Sequence, residues 1–270
     1  YCSPKGRLLA SLLVWRDAER LYLVCHKEIL PAIQKRLQMF VLRSKVKLSD
    51  VSQSKVLFGL AQADTALLDE SFASLPDQVY DMVNNSGHTL IRLPNRQSTQ
   101  RHIWITDLAS APAVWQKLKL TMQAASTAWW RWTEIQAGTP QIMLATQEKF
   151  VPQMINFELI GGVNFRKGCY PGQEIVARSQ YLGKLKRRML LAHCENQDQL
   201  QVKSGDEIFS EEDATQPCGM VVNAEFSPDG RIDCLIEIKL ETRQQKLRLH
   251  AANGALLQLD HLPYALPELE

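Results

Sequence analysis

Between residues 166 and 174 the chain reads RKGCYPGQE. A single thiol, Cys169, follows two cations, Arg166 and Lys167, and sits between Gly168 and Tyr170, with Gly172 three residues on. The stretch PGQEIVARSQYLG predicts a helix with Pro171 at its first position, Glu174 in its first turn and Gly183 as its stop. Cys169 then falls just ahead of a helix N-terminus, where free N–H groups and the dipole favour an anion. Lys167 and Arg166 act in the same direction, toward the thiolate, the form in which cysteine is a nucleophile or ligand. Neighbouring glycines let backbone or ligand approach closely. The same residue types equally describe a Gly-Pro turn whose cysteine is merely a small hydrophobe. No histidine lies nearby in sequence, so a Cys–His pair has no local support.

Two further groups carry chemistry-bearing side chains. Arg178, Lys184, Lys186, Arg187 and Arg188 follow with no acid between Glu174 and Glu195. Such a run reads as a solvated strand face, or as an attractor of phosphate or polycarboxylate. Trp129, Trp130 and Trp132 lie on a predicted helix where successive residues are about 100° apart. One or two of them belong in a core, and a remaining indole is suited to stacking on a flat heterocycle.

The elements that must position these groups read as α+β. "RLLASLLVWR" (7–16) and "RLYLVC" (20–25) are strands about a turn at Asp17 to Glu19. Leu30, Ile33, Leu37, Phe40 and Val41 recur at helical spacing, and "SKVKL" (44–48) and "KVLFGLA" (55–61) return to strand. "HTLIRL" (88–93) and "RHIWIT" (101–106) are strands; a helix opens near Ser110 with Pro112, showing Trp115, Leu118, Met122 and Ala125 on one face. The Trp helix stops at Gly138, and 139–170 is loop-like. The rest is all-β: Ile232, Cys234, Ile236 and Ile238 share one face of a strand, Asp229-Gly230 marks a turn, and Asn253-Gly254 predicts a type I′ hairpin. Short strands with this punctuation suggest a small barrel or sandwich. Segments 1–61, 62–183 and 184–270 are the expected domains.

Composition sets the outer bounds. With 270 residues, 45% hydrophobic and a net charge of +2, the chain describes a folded protein with no global nucleic-acid signature. No apolar run approaches the roughly 20 residues of a membrane span, and no leader pattern opens the chain, so a cytoplasmic protein is expected. Six cysteines without a CxxC pair support neither a zinc site nor a disulfide framework, and no metal ligands are assigned. Tyr1, not Met, comes first, and a further upstream segment is expected.

"KGCYPGQEIVAR" (167–178) resembles the signature K-G-C-[FY]-x-G-Q-E-x-x-[AT]-R of the YgfZ family, relatives of the glycine-cleavage T-protein, an aminomethyltransferase. "CSPKGRLLA" (2–10), "WRWTEIQAG" (130–138), "FVPQMINFELIGGVNFRKGCY" (150–170) and "LPYALPE" (262–268) resemble further family segments. The resemblance implies a T-protein-like folate-binding α+β region followed by a small C-terminal antiparallel β-barrel. It implies tetrahydrofolate or a derivative as ligand, and support of iron–sulfur enzymes such as a tRNA methylthiotransferase, hence tRNA modification. On that basis Cys169 is the functional thiol and Lys167 tunes it. Trp130, Tyr170, Gln173, Glu174 and Arg178 are folate-binding or shape the loop. A transient iron–sulfur cluster has no support from cysteine spacing. Two other readings stand beside this one: a folate-dependent one-carbon transferase or demethylase, and a protein binding tRNA directly through the 178–188 cations.

Overall fold

A computed structural model describes residues 1–181, 185–196 and 200–267. The helix stop expected at Gly183, the cation Lys184 and the last residue of the 262–268 segment lie outside the described residues. The chain is α+β and forms two compact units: Val14–Leu23 with Ala32–Trp130, and Tyr1–Leu13 with Val24–Pro31 and Arg131–Glu270. The grouping interleaves along the sequence and does not follow the segments 1–61, 62–183 and 184–270.

The first of these begins with a hairpin, β1 (Leu13–Arg16) and β2 (Leu21–Val24), whose turn is closed by Asp17. The Asp17 carboxylate accepts from the N–H groups of Glu19 (2.9 Å) and Arg20 (2.7 Å), a local solution that aspartate supplies readily. Helix α1 (Leu30–Gln38) buries Ile33. A four-stranded antiparallel sheet follows, order β3-β6-β5-β4, from β3 (Lys55–Ala61), β4 (Met82–Asn85), β5 (His88–Arg96) and β6 (Thr99–Asp107). Helices α2 (Thr65–Asp69) and α3 (Ala111–Leu118) supply Leu67, Leu68, Val114 and Leu118 to a core with Leu60, Leu90 and Trp104. Helix α4 (Thr127–Gln136) carries the chain onward and ends before Gly138, whose φ of +63° suits a residue without Cβ.

The other unit holds α5 (Gln173–Tyr181) and a closed antiparallel barrel. Its strands are β7 (Arg187–Cys194), β8 (Glu207–Ser210), β9 (Gly219–Phe226), β10 (Ile232–Lys239), β11 (Leu247–Leu249) and β12 (Leu256–Asp260), in the order β10-β7-β12-β11-β8-β9. Ile232, Cys234, Ile236 and Ile238 fill the barrel interior, as their alternation predicts. The opposite face of β7 and β10 is also covered: Met189, Leu191 and Leu235 pack with Leu8, Ile142, Phe150 and Ile155. That second layer seats the N-terminal segment and the 139–157 region on the barrel wall. Among the described residues no helix is long and apolar enough to cross a membrane.

Several sequence expectations are corrected. The strand expected over 7–16 is regular only in Leu13–Arg16, and 44–48 forms no strand. Phe40 lies beyond α1 and is exposed, not on its buried face. Helix α3 buries Ala111, Val114 and Leu118, and ends before Met122. β11 and β12 do pair as a hairpin, but neither Asn253 nor Gly254 has positive φ; the left-handed residue is His250, φ +66°. The connection is therefore a longer turn than type I′.

Candidate functional site

Two segments far apart in sequence meet at the signature. The turn SPKGR (3–7) is closed by Ser3 N–H donating to the Arg7 carbonyl (2.8 Å) and Gly6 N–H to the Ser3 carbonyl (2.9 Å). Leu8 N–H bonds the Phe150 carbonyl and Glu148 N–H the Leu8 carbonyl, both at 2.8 Å, anchoring the turn to the barrel layer. Gly172 has φ +83°, and a Cβ there would stand 2.6 Å from the Gly6 nitrogen. Gly6, φ +68°, faces back: its added Cβ would lie 3.0 Å from the Ile175 Cβ and 3.2 Å from the Gly172 carbonyl. The two glycines thus let two backbones touch, and the contact fixes the start of α5.

The signature helix starts later than its sequence suggests. Pro171 and Gly172 form the preceding turn, and α5 runs Gln173–Tyr181, so Cys169 stands a full turn before it and not at its end. Gln173 holds this turn twice: its Oε1 accepts from Tyr170 N–H (3.2 Å), and its N–H donates to the Tyr170 carbonyl (3.1 Å). Both bonds close the loop at Tyr170. Buried Gln153 secures the helix from beneath, its Nε2 donating to the Val176 carbonyl (2.8 Å). Glu174 and Arg178 occupy the first and last turns of α5, exposed and four residues apart, which suits the helix dipole.

Of the six cysteines, Cys169 alone is exposed; all are free thiols. Cys194, Cys218 and Cys234 are buried in the barrel, and burial raises each thiol pKa, Cys194 to about 11. Half-buried Cys2 is likewise raised by burial. Gly168 differs from Gly172: its φ is not positive and a Cβ would meet nothing within 4 Å. Space is therefore clear beside Cys169. Lys167 lies with its Nζ 4.4 Å from the Tyr170 ring centroid, a cation–π contact that orients the ammonium. Burial lifts the Tyr170 hydroxyl above its ordinary pKa. A cleft of about 160 Å³ opens beside these residues, lined by Cys2, Leu8, Phe157, Asn164, Lys167 and Tyr170 among others. It is smaller than the roughly 300 Å³ at which pockets for drug-sized ligands begin, so it suits a small group and not a whole folate.

Trp130 belongs to the sheet unit. Its ring lies against Gly59 of β3, where any Cβ would collide with the indole, and the Arg101 guanidinium sits 4.6 Å from the ring centroid. The indole is thus a half-buried shelf, fixed by a glycine and a cation. Trp132 is a core residue: its Nε1 donates to Asp233 on β10 (2.7 Å), beside Gln136 Nε2 (2.6 Å).

Among the described residues, the cations Arg178, Lys186, Arg187 and Arg188 do not form one face. Arg188 is 3% exposed, donates to the Gln153 carbonyl (2.9 Å) and pairs with buried Glu158. Arg187 is paired with Glu237 on β10 through two N–H groups. Their partners lie about 30 and 50 residues away in sequence, and so the run looked unopposed. Sequence reading also missed the Gly6–Gly172 contact, Gln153, Arg101 and Tyr264, whose hydroxyl donates to the Gly138 carbonyl (2.9 Å). A signal existed for two: an arginine inside the apolar strand RHIWIT, and a glycine in the PKGR turn.

Comparison with curated proteins finds relatives over nearly the whole chain. The tRNA-modifying protein YgfZ of Escherichia coli O7:K1 is 27% identical over 276 aligned positions, 99% of this chain and 81% of the relative. The proteins of that name from Shigella boydii serotype 4 and Enterobacter sp. (strain 638) are also 27% identical, with the same coverage. No protein-family model matches the chain. The resemblance to the YgfZ family is thus borne out along the chain, not only at the signature.

Proposed function

We propose that this YgfZ relative acts in tRNA modification, as a folate-binding protein that supports iron–sulfur enzymes through Cys169. One observation carries the reading: the glycine-locked contact of PKGR with PGQE holds out the chain's exposed thiol, with clear space at Gly168 and an oriented ammonium at Lys167. A rigid turn that leaves a thiol accessible and its neighbour without a side chain is arranged for approach from outside. Structural cysteines in this chain look different, since those in the barrel are buried.

For folate, the fitting feature is Trp130. Its indole is pre-set on Gly59 and Arg101, and pre-setting an aromatic surface lowers the entropy lost when a flat ring stacks on it. A bound folate would supply a flat heterocycle and a one-carbon carrier; the chain's own part is to hold it and present the thiol. Lys167, two residues before Cys169, holds its ammonium on the Tyr170 ring, and Gln173 keeps the loop closed.

Two measurements test this. In a strain deleted for its own relative, wild-type protein restores tRNA methylthiolation and Cys169→Ser does not; full restoration by the serine variant overturns the role of the thiol. Titration with tetrahydrofolate, followed by tryptophan fluorescence, gives an affinity that Trp130→Ala weakens at least tenfold. An unchanged affinity removes Trp130 from the site.

A further inference from the structure

Residues 29–49 contain Lys35, Arg36, Arg43, Lys45 and Lys47 and no Asp or Glu, in a chain whose net charge is only +2. Beyond α1 this stretch has no regular structure, and Arg43, Lys45 and Lys47 are all exposed. Large apolar side chains stand among them: Phe40 is 59% exposed, Leu42 85% and Val46 60%. Among the described residues, Lys35, Arg43, Lys45 and Lys47 make no ion pair. The segment returns to α1 through Gln34, whose Nε2 donates to the Leu48 carbonyl (3.4 Å). Folding therefore leaves a concentrated positive, partly apolar surface uncovered.

We infer that this surface, residues 35–47, binds the backbone and unpaired bases of RNA. Its charge calls for a polyanion. A second copy of the chain is disfavoured, because a two-fold contact would set like charges together. An ordinary protein partner is disfavoured too: three of the five cations are lysines, which are depleted in protein interfaces. A bilayer surface needs an apolar face separated from the basic one. Here Leu42-Arg43 and Lys45-Val46-Lys47 interleave the two kinds. Interleaving fits single-stranded or looped RNA, whose phosphates take the cations while a base stacks on exposed Phe40. The inference is independent of Cys169 and rests on a different stretch of sequence from 178–188.

The test measures binding of unmodified bulk tRNA and of a mixed-sequence single-stranded oligoribonucleotide between 50 and 200 mM salt. For the wild-type protein, affinity falls steeply with salt, by roughly 0.7 in log–log slope per phosphate engaged. Replacing Arg43, Lys45 and Lys47 together by Gln lowers that slope by about 2 and weakens binding at least tenfold at the lowest salt. Phe40→Ala weakens binding and leaves the slope unchanged, because stacking releases no counterions. These side chains are exposed, so the variants keep wild-type circular dichroism, and Cys169→Ser binds as wild type does. Absence of binding at low salt overturns the inference. So does undiminished binding by the triple variant, or capture by phosphatidylglycerol vesicles without capture of RNA.

Discussion

At the scale of single residues, two glycines four positions apart in the signature carry different burdens. Gly172 is held at φ +83° with the Gly6 backbone against it, whereas Gly168 has neither constraint. Gly172→Ala should destabilise the protein by about 2–4 kcal/mol, combining left-handed strain with overpacking. Gly168→Ala should stay within about 0.5 kcal/mol, the range of an unconstrained surface position. Urea midpoints of the two variants, measured side by side, check the contrast; equal losses would show that the turn is not locked where the geometry puts it. The thiols divide in the same way. An aromatic disulfide reagent added to native protein should titrate Cys169 first, leaving Cys194, Cys218 and Cys234 silent until denaturant is present. Counting the thiols released before and after denaturation settles it.

At the scale of elements, the decisive feature is what lies opposite a strand. The alternation of β10 was legible because Ile232, Cys234, Ile236 and Ile238 are apolar on a two-residue period, and they do fill the barrel. The other face of the same strand was not legible: Asp233 and Glu237 look solvated in sequence, yet both are buried. Each is matched by a partner distant in the chain, Trp132 and Gln136 for Asp233 and Arg187 for Glu237. Arg188 follows the same logic with Glu158. Sequence shows the cation and cannot show which loop returns to meet it. The helix start at Gln173 was missed for a related reason, since the Gly6–Gly172 contact uses Pro171 and Gly172 for a turn. Because the Arg188–Glu158 pair is buried, removing one member strands the other: Arg188→Ala should cost about 3–5 kcal/mol. Arg178→Ala, exposed on α5, should cost less than about 0.5 kcal/mol. Thermal unfolding of the two variants separates a structural cation from a solvated one, and similar losses would contradict the burial of Arg188.

At the scale of the whole molecule, the two units should answer acid in opposite senses. In the sheet unit, burial and the nearby positive charge of Arg92, its cross-strand neighbour, hold His102 down to about 4 from an ordinary 6.5. The unfolded chain therefore binds a proton that the folded unit refuses, and stability present above pH 6.5 is lost as pH falls toward 4. At pH 5 the loss from this group alone is about 2 kcal/mol. In the barrel unit, burial raises the carboxyls of Asp233 and Glu237, against the pull of their hydrogen-bond donors. There the sign reverses: ionising them opposes folding as pH rises past the unfolded carboxylate range, so acidification relieves a cost. Amide exchange at pH 7 and pH 5, corrected for intrinsic rates, should show β5 and β6 losing roughly thirtyfold protection while β7 and β10 hold or gain. His102→Gln should abolish the acid-dependent loss in β5 and β6 and leave the barrel strands as they were. If β5 and β6 instead keep their protection at pH 5 in the wild type, His102 is not the buried neutral group that its position between Leu60 and Arg92 requires.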